Sequence, residues 1–490
     1  MRERMYLGLD VGSSGLKGIL ADAGGNILYQ RKVSYDIGQP HPGWAQQDPE
    51  IWWNAVDLML REALEQVAGA NESLRGIYIT SMVPNLVPLD REGKAVRPAI
   101  LYRDNRAVRE CRELNSRHGL SLNMQDVVPK WFWLKTHEPE LYEKTSRILG
   151  THSFLVYRLT GRATADADIA GLMGRGIFSR ESGWNRELLS QMGLEPDMLP
   201  EVLEPGALAG TVREELARQL GLTVPVPVFA GNGDSLASLL GTAAVRENDA
   251  MIYLGTAATV WHLAREMDQV APNGIFDPEV LTFAGNTLTG GELIRWYRYG
   301  LQLDGTEHSF GELEAGAREI GPGADGLMVL PHFMGKRTPE ADPLASGVFF
   351  GLTPTHTGIH IYRALMEAVA LNLKDSVDAS GKSPSRLLIT GGGAASSLWR
   401  QIFADVFGMD VYWYPKGDGA LGTAYFAGYC LGDFQGFREL EEVWMGPVEI
   451  SRPDPSVAQQ YREILGAYRE LDRAMAPVFA RLHEKKEAGQ

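Results

Sequence analysis

One local pattern occurs twice in this chain, about half its length apart. Residues 6–34 run Tyr-Leu-Gly-Leu-Asp10-Val-Gly12-Ser13-Ser14-Gly-Leu-Lys17 and onward: an apolar strand ending at Asp10, a turn of small residues, then a second apolar alternation. Asp249-Ala-Met-Ile-Tyr-Leu254-Gly255-Thr256-Ala-Ala-Thr-Val-Trp-His-Leu263 repeats it, with Gly255 against Gly12 and Thr256 against Ser13, an offset of 255 − 12 = 243 residues. A chain of 490 residues exceeds one core. The repeat therefore predicts two similar α/β domains, residues 1–245 and 246–490, each presenting a phosphate-sized turn, with a cleft between them.

Glycine in such a turn lets backbone approach a ligand closely, and hydroxyls with successive N–H groups can surround phosphate oxygens. Gly12, Ser13, Ser14 and Lys17 are the candidates in the first turn, Gly255 and Thr256 in the second. Asp10, at the strand end, suits a hydrated Mg²⁺, which prefers carboxylate and water oxygens. Taken alone, each turn is equally compatible with a β-hairpin whose glycines serve only the chain reversal.

Two further stretches end a strand in glycine and open a helix. Val-Phe-Ala-Gly231-Asn-Gly233-Asp234 puts Asp234 at a helix N-terminus, where the dipole favours its ionised form, although an ordinary Asp cap reads the same way. Leu-Ile-Thr390-Gly391-Gly392-Gly393-Ala-Ala-Ser396 is a Gly-rich helix entrance able to accept a flat base or a phosphate. Thr289-Gly290-Gly291 opens another helix. In open sheets, ligands sit beyond the carboxyl ends of strands, so Asn85, Tyr102, Asp104 and Arg106 are pocket candidates, each with a purely structural alternative. Asp48 and Pro49 predict a helix start whose core face carries Ile51, Trp52, Ala55, Val56, Met59 and Leu60. The cluster Lys130-Trp-Phe-Trp133 reads as packing.

Composition excludes several classes. Acidic residues exceed basic ones, 62 against 47, which speaks against a nucleic-acid partner. The two cysteines, Cys111 and Cys430, have no metal-ligand or disulfide spacing, and no apolar segment reaches a membrane span; a cytoplasmic protein without membrane association is expected. Gly381-Lys382-Ser383 lacks the upstream glycine of a Walker A loop, and Asp10-Val-Gly-Ser-Ser-Gly15 is no dinucleotide fingerprint.

Taken in order, Asp-x-Gly-Ser-Ser, Pro-Gly-Trp-x-x-Gln-Asp-Pro, Arg103-Asp-Asn-Arg106, Gly-x-Gly-Asp234, Leu-Gly-Thr256, Arg337-Thr-Pro, Gly-Val-Phe-Phe-Gly and Gly-Gly-Gly-Ala resemble the FGGY family of carbohydrate kinases, most like its xylulokinase branch, over about residues 5–430. The resemblance implies two actin-like (ribonuclease H-like) domains with ATP in the cleft between them and sugar held mainly by the first. It makes Asp234 the catalytic base and Asp10 the carboxylate serving Mg²⁺ and the reacting centre. Ser13, Ser14 and Lys17 fall in the first phosphate turn, with Gly12 beside them. Gly255 and Thr256 fall in the second, and Gly291, Gly392, Gly393 and Ser396 on the nucleotide side. Asn85, Tyr102, Asp104 and Arg106 join Asp234 as candidates for the sugar pocket, Tyr102 as its aromatic wall.

The implied activity is transfer of the ATP γ-phosphate to a hydroxyl of a sugar, with a ketopentose the first expectation. Ribulose, gluconate, a polyol or an autoinducer-type sugar are the alternatives, and a homodimer is compatible. One departure bears on substrate: in place of Gln-Met-His-Gly this chain has Met82-Val83-Pro84-Asn85, losing a hydrogen-bonding His, so weak use of D-xylulose is expected. An actin-like ATPase and a silent sugar-binding regulator are the other classes. The retained pair Asp10 and Asp234 argues against the latter.

Overall fold

The computed structural model describes residues 4–270, 274–275, 279–301 and 308–488. The chain forms two units. The first comprises Met1–Ala243, Met267–Phe276 and Asp418–Gly446, the second Ala244–Glu266, Asp277–Gly417 and Pro447–Gln490.

In the first unit, β1 (Met5–Val11), β2 (Gly15–Asp22) and β3 (Ile27–Ser34) form an antiparallel meander, and β4 (Leu74–Ser81) lies parallel on the other side of β1. Every residue of β1 except Asp10 is buried, as expected of a central strand covered on both faces. β3 carries Gln30, Arg31 and Lys32 outward, as suits a sheet edge. Helix α1 (Pro49–Gln66) starts where predicted: the Asp48 carboxylate accepts from the Glu50 N–H at 3.0 Å, and Pro49 needs no partner there. Its core face holds Trp52, Ala55, Val56, Met59 and Leu60, but Ile51 points out, 38% exposed, and Trp53 is buried in its stead.

The second unit repeats this topology. β5 (Asp249–Leu254), β6 (Ala258–Leu263) and β7 (Leu281–Thr287) are antiparallel, and β8 (Arg386–Thr390) pairs parallel with β5. The order β7-β6-β5-β8 matches β3-β2-β1-β4, so the sequence repeat is a repeat of architecture.

The packing units do not follow the chain in a single cut at 245/246. The chain does leave the first unit after Ala243, but it returns at Asp418. The cause is α7 (Gly419–Cys430), apolar on every side and therefore buried all round. Its small residues admit neighbouring backbone: a Cβ on Gly8 of β1 would lie 2.1 Å from the Ala420 carbonyl oxygen, and one on Gly422 would lie 2.5 Å from the Leu240 Cβ. No side chain larger than hydrogen fits at either contact. Among the described residues no helix is long and apolar enough to cross a membrane.

Candidate active site

The carboxyl end of β1 and that of a short strand beside the end of β4 position two acids in the first unit. Asp10 pairs with Thr80 in register, and the short strand Asn232–Gly233 runs beside Thr80 and Ser81 on the far side of β4. Asp234 follows immediately as the first residue of α2 (Asp234–Thr242), the helix entrance predicted from the sequence. Its side chain is open to solvent. The surrounding protein mass nevertheless raises its pKa to about 6, against the pull of the Ser235 N–H and its own.

Asp10 is shifted further. Burial and the charge of Asp234 push it up to about 7, with Asp418 adding repulsion, while the Thr80 hydroxyl, donating at 3.1 Å, and Lys17 work the other way. Two carboxyls raised by burial, Asp10 also by the charge of Asp234, form a site short of positive charge, and a hard divalent cation fits that donor set. Among the described residues no cluster of three His, Cys, Asp or Glu side chains suits a metal. Mg²⁺ characteristically rests on one or two carboxylates and completes its shell with water and phosphate oxygens, a pattern that the Asp10 carboxylate fits.

The first turn is built for rigidity. Gly12 N–H donates to the Gly15 carbonyl at 2.9 Å, Tyr35 hydroxyl to the Gly12 carbonyl at 2.8 Å, and Gln47 to the Ser13 carbonyl at 2.8 Å. With carbonyls thus engaged, Ser13 and Ser14 keep their hydroxyls at an accessible surface. Lys17 lies outside the turn, on β2 opposite Asp10, and its ammonium pairs with Asp418, the N-cap of α7. Its charge is thus shared with an acid 401 positions further along the chain.

Three sugar-pocket candidates have protein partners. Asn85 is 1% exposed: its amide donates to the Met82 carbonyl and the Thr151 hydroxyl, both at 2.8 Å, and accepts from the Tyr102 N–H at 2.6 Å. Asp104 accepts from the backbone N–H groups of Ala45 and Arg106 and from the Arg106 guanidinium, two bonds of 2.8 Å. Both side chains of that ion pair are fully buried, and the guanidinium lies 3.8 Å from the Trp44 ring centre. Asn85, Asp104 and Arg106 are therefore engaged mainly by protein partners, with Nη1 of Arg106 the buried donor left over. Tyr102, which Asn85 holds, stays half-exposed, and its phenol is raised by burial and by Asp234 while Arg103 opposes.

Sequence reasoning missed a buried polar layer behind the acid pair. His152 is fully buried and neutral, its pKa lowered to about 4 by burial, with Ser81 and Ser153 hydroxyls at 3.3 Å. Asp168 receives the Asn232 amide at 3.3 Å and the Ile275 N–H at 3.0 Å, and pairs with Arg180 at 2.7 Å. Lone polar residues within apolar runs carry no marker of such convergence.

The second unit holds a cavity of about 530 Å³, and Gly255, Thr256, Gly291, Gly392, Gly393 and Ser396 all line it. The turn after β5 is clasped by the start of α3 (Gly291–Gly300): Gly291 N–H donates to the Gly255 carbonyl at 2.7 Å and Gly290 N–H to the Thr256 carbonyl at 2.8 Å. Gly391 has φ +91°, and a Cβ there would strike the Leu254 carbonyl oxygen at 2.6 Å. The chain reversal and the close approach of the two loops both demand glycine at that point. Four further walls went unforeseen: Arg295 of α3, Phe310 and Glu314 of α4 (Phe310–Arg318), and Tyr362 of α5 (Gly358–Ala379). In sequence these residues read as ordinary members of amphipathic helices.

Comparison with known proteins agrees with this layout. Residues 5–241 match the N-terminal domain of the FGGY family of carbohydrate kinases, and residues 250–431 match its C-terminal domain. Among similar curated proteins, the xylulose kinase of Lactococcus lactis subsp. lactis (strain IL1403) is 30% identical over 99% of each chain. The xylulose kinase of Escherichia coli (strain K12) is 30% identical over 97% of this chain and 100% of its own. Among solved structures, the xylulose kinase from Rhodospirillum rubrum superposes with a TM-score of 0.84 at 28% identity, over 97% of this chain and 100% of that one.

Proposed function

The chain belongs to the FGGY family of carbohydrate kinases, and from that premise we propose that it transfers the ATP γ-phosphoryl group to a hydroxyl of a ketopentose, with Asp234 as base. That it is a phosphotransferase acting on a sugar hydroxyl follows from the family itself, as does ATP as donor. The observation that carries the residue assignment is the acid pair at the end of β1 and at the entrance of α2, one carboxyl accessible at the helix entrance and the other half-buried beside it.

Asp234 accepts the proton of the acceptor hydroxyl as that oxygen bonds to the γ-phosphorus and the bond to ADP breaks. A base with a pKa of about 6 is ionised at neutral pH yet basic enough to take a proton during transfer. Asp10 would hold Mg²⁺, which when bound would neutralise phosphate charge. The turn at Gly255–Thr256 and the glycines at 391–393 supply backbone N–H groups and a hydroxyl to the nucleotide phosphates. Tyr102, braced by Asn85, forms an aromatic wall for the sugar.

The xylulose kinases among its relatives support a ketopentose. The segment Met82–Asn85 qualifies the affinity: Val83 and Pro84 offer no side-chain donor, and the Asn85 amide is consumed internally. One buried sugar hydroxyl without a partner costs about 1–3 kcal/mol. ADP release is therefore expected to depend on added sugar, and D-xylulose is expected to require a high concentration. Steady-state kinetics over ketoses, aldoses, sugar acids and polyols tests both points: sugar-independent ADP release would point to an ATPase, and D-xylulose leading by a wide margin at low KM would remove the role given to Met82–Asn85.

The two turns have separable tasks. Thr256→Val is expected to raise the Kd for ATP about tenfold, the worth of one hydrogen bond to a charged group. Sugar affinity should stay within twofold, and calorimetric titration of each ligand reads the two effects; loss of sugar affinity with normal ATP binding would reverse the assignment of the units. The free thiols Cys111 and Cys430 suit the reducing cytoplasm in which we place the enzyme.

A further inference from the structure

The second-unit cavity contains an anion of its own. Glu314 lines it, and its Oε1 accepts three bonds: from the Leu398 N–H at 3.0 Å, the Ser397 hydroxyl at 3.3 Å and the Arg318 guanidinium at 2.7 Å. Oε2 carries none of these three. Burial works against the charge, but the Leu398 N–H, the Ser396 hydroxyl and Arg318 outweigh it and hold the carboxyl below its usual pKa.

An ionised carboxylate is out of place near a triphosphate, since like charges repel strongly at short range. It belongs at the other end of the nucleotide. The composition of the cavity agrees: the glycine turns at 255–256 and 391–393 provide N–H groups, whereas Glu314 shares its helix with Phe310, an exposed ring suited to stacking a flat base, and Arg295 is a further wall. The Arg298 guanidinium lies 4.4 Å from the Phe310 ring centre.

We infer that Glu314 selects the nucleobase: Oε2 accepts a hydrogen bond from the exocyclic amine at position 6 of adenine. This rests on the reading of the cavity as the nucleotide site and goes one step beyond it. Guanine presents adjacent N1–H and 2-amino donors, an edge that calls for both carboxylate oxygens, and Oε1 is already saturated by three donors. At position 6, guanine and hypoxanthine bear a carbonyl oxygen, which a carboxylate repels. Adenine's single amine is the edge that one remaining oxygen satisfies.

The test compares kcat/KM at fixed sugar for ATP, ITP, GTP and the triphosphate of purine riboside, which lacks the 6-amino group. ATP is expected to lead each of the others by about 10- to 100-fold, mostly through KM. Glu314→Gln sharpens the comparison. The donors from Leu398, Ser397 and Arg318 retain the amide oxygen, so the NH₂ turns to the cavity and offers a donor where an acceptor stood. The ATP-to-ITP ratio of kcat/KM should then collapse or invert. Because the ratio is taken between nucleotides on one preparation, partial loss of fold does not imitate it. Equal use of ATP and purine riboside triphosphate by the parent enzyme, or an unchanged ATP-to-ITP ratio in Glu314→Gln, would overturn the inference. Phosphoryl transfer from none of the four nucleotides would overturn the underlying reading of the cavity.

Discussion

Asp234→Asn is expected to lower turnover by about 10²-fold or more, the usual worth of a positioned base, while ATP binds with an unchanged Kd. The two halves of this expectation separate because Asp234 belongs to the first unit and the cavity proposed for the nucleotide to the second. The amide keeps the size of the carboxylate and its place at the entrance of α2, so loss of fold is not the anticipated cause. A pH signature accompanies it. The base works in its ionised form, so kcat/KM of the parent enzyme should rise with pH through about 6 and level off above it. Asp10, raised to about 7, interacts with it, so the limb reports macroscopic constants of the pair. In Asp234→Asn the limb should flatten in the residual activity. Near-normal turnover by the variant on the preferred sugar would remove Asp234 from the role of base.

What the sequence reveals about this protein depends on how local the determining physics is. Turn chemistry and strand alternation are local, and they place Gly255, Thr256, Gly291, Gly392, Gly393 and Ser396 on one cavity. Asp234 at a helix entrance is local too, because a strand ending in Gly-x-Gly before a run of small apolar residues leaves few alternatives. Asn85, Asp104 and Arg106 show the limit. Each stands near a strand end, where ligands gather, but whether a polar side chain meets a ligand depends on whether another residue has already claimed it. For Asn85 the claimants are Met82, Tyr102 and Thr151, the last 66 positions away.

The same limit hid Glu314. Its apolar neighbours explain the helix without reference to a cavity, and its partners Ser397 and Leu398 belong to another helix, α6 (Ser397–Phe407). The return of Asp418–Gly446 to the first unit was hidden differently. An all-apolar small-residue helix announces that it will be buried but not by which sheet, and only the open backbone at Gly8 and Gly422 shows where it fits.

Asp10→Asn should combine a gain and a loss. In the parent protein Asp10 is raised to about 7 by burial and by Asp234, while an unfolded chain would ionise it near 4. Between those values the native state holds a proton that the unfolded state has released, so this group's contribution to stability is complete below about pH 4 and is lost as pH rises through about 7. Without bound nucleotide and metal, the charge is an obstacle to folding at neutral pH. The asparagine cannot ionise, and it can still accept from the Thr80 hydroxyl. The variant is thus expected to melt close to the parent at pH 4 and progressively higher than the parent from pH 5 to 8. Activity is expected to go the opposite way, with turnover falling about 10²-fold or more, because the carboxylate that is costly in the free protein is the one proposed to hold Mg²⁺. Melting curves over that pH range and single-substrate kinetics at pH 8 measure the two effects on one preparation. A melting difference independent of pH would show that Asp10 is not held protonated, and full turnover would show that it serves neither the metal nor the reacting centre.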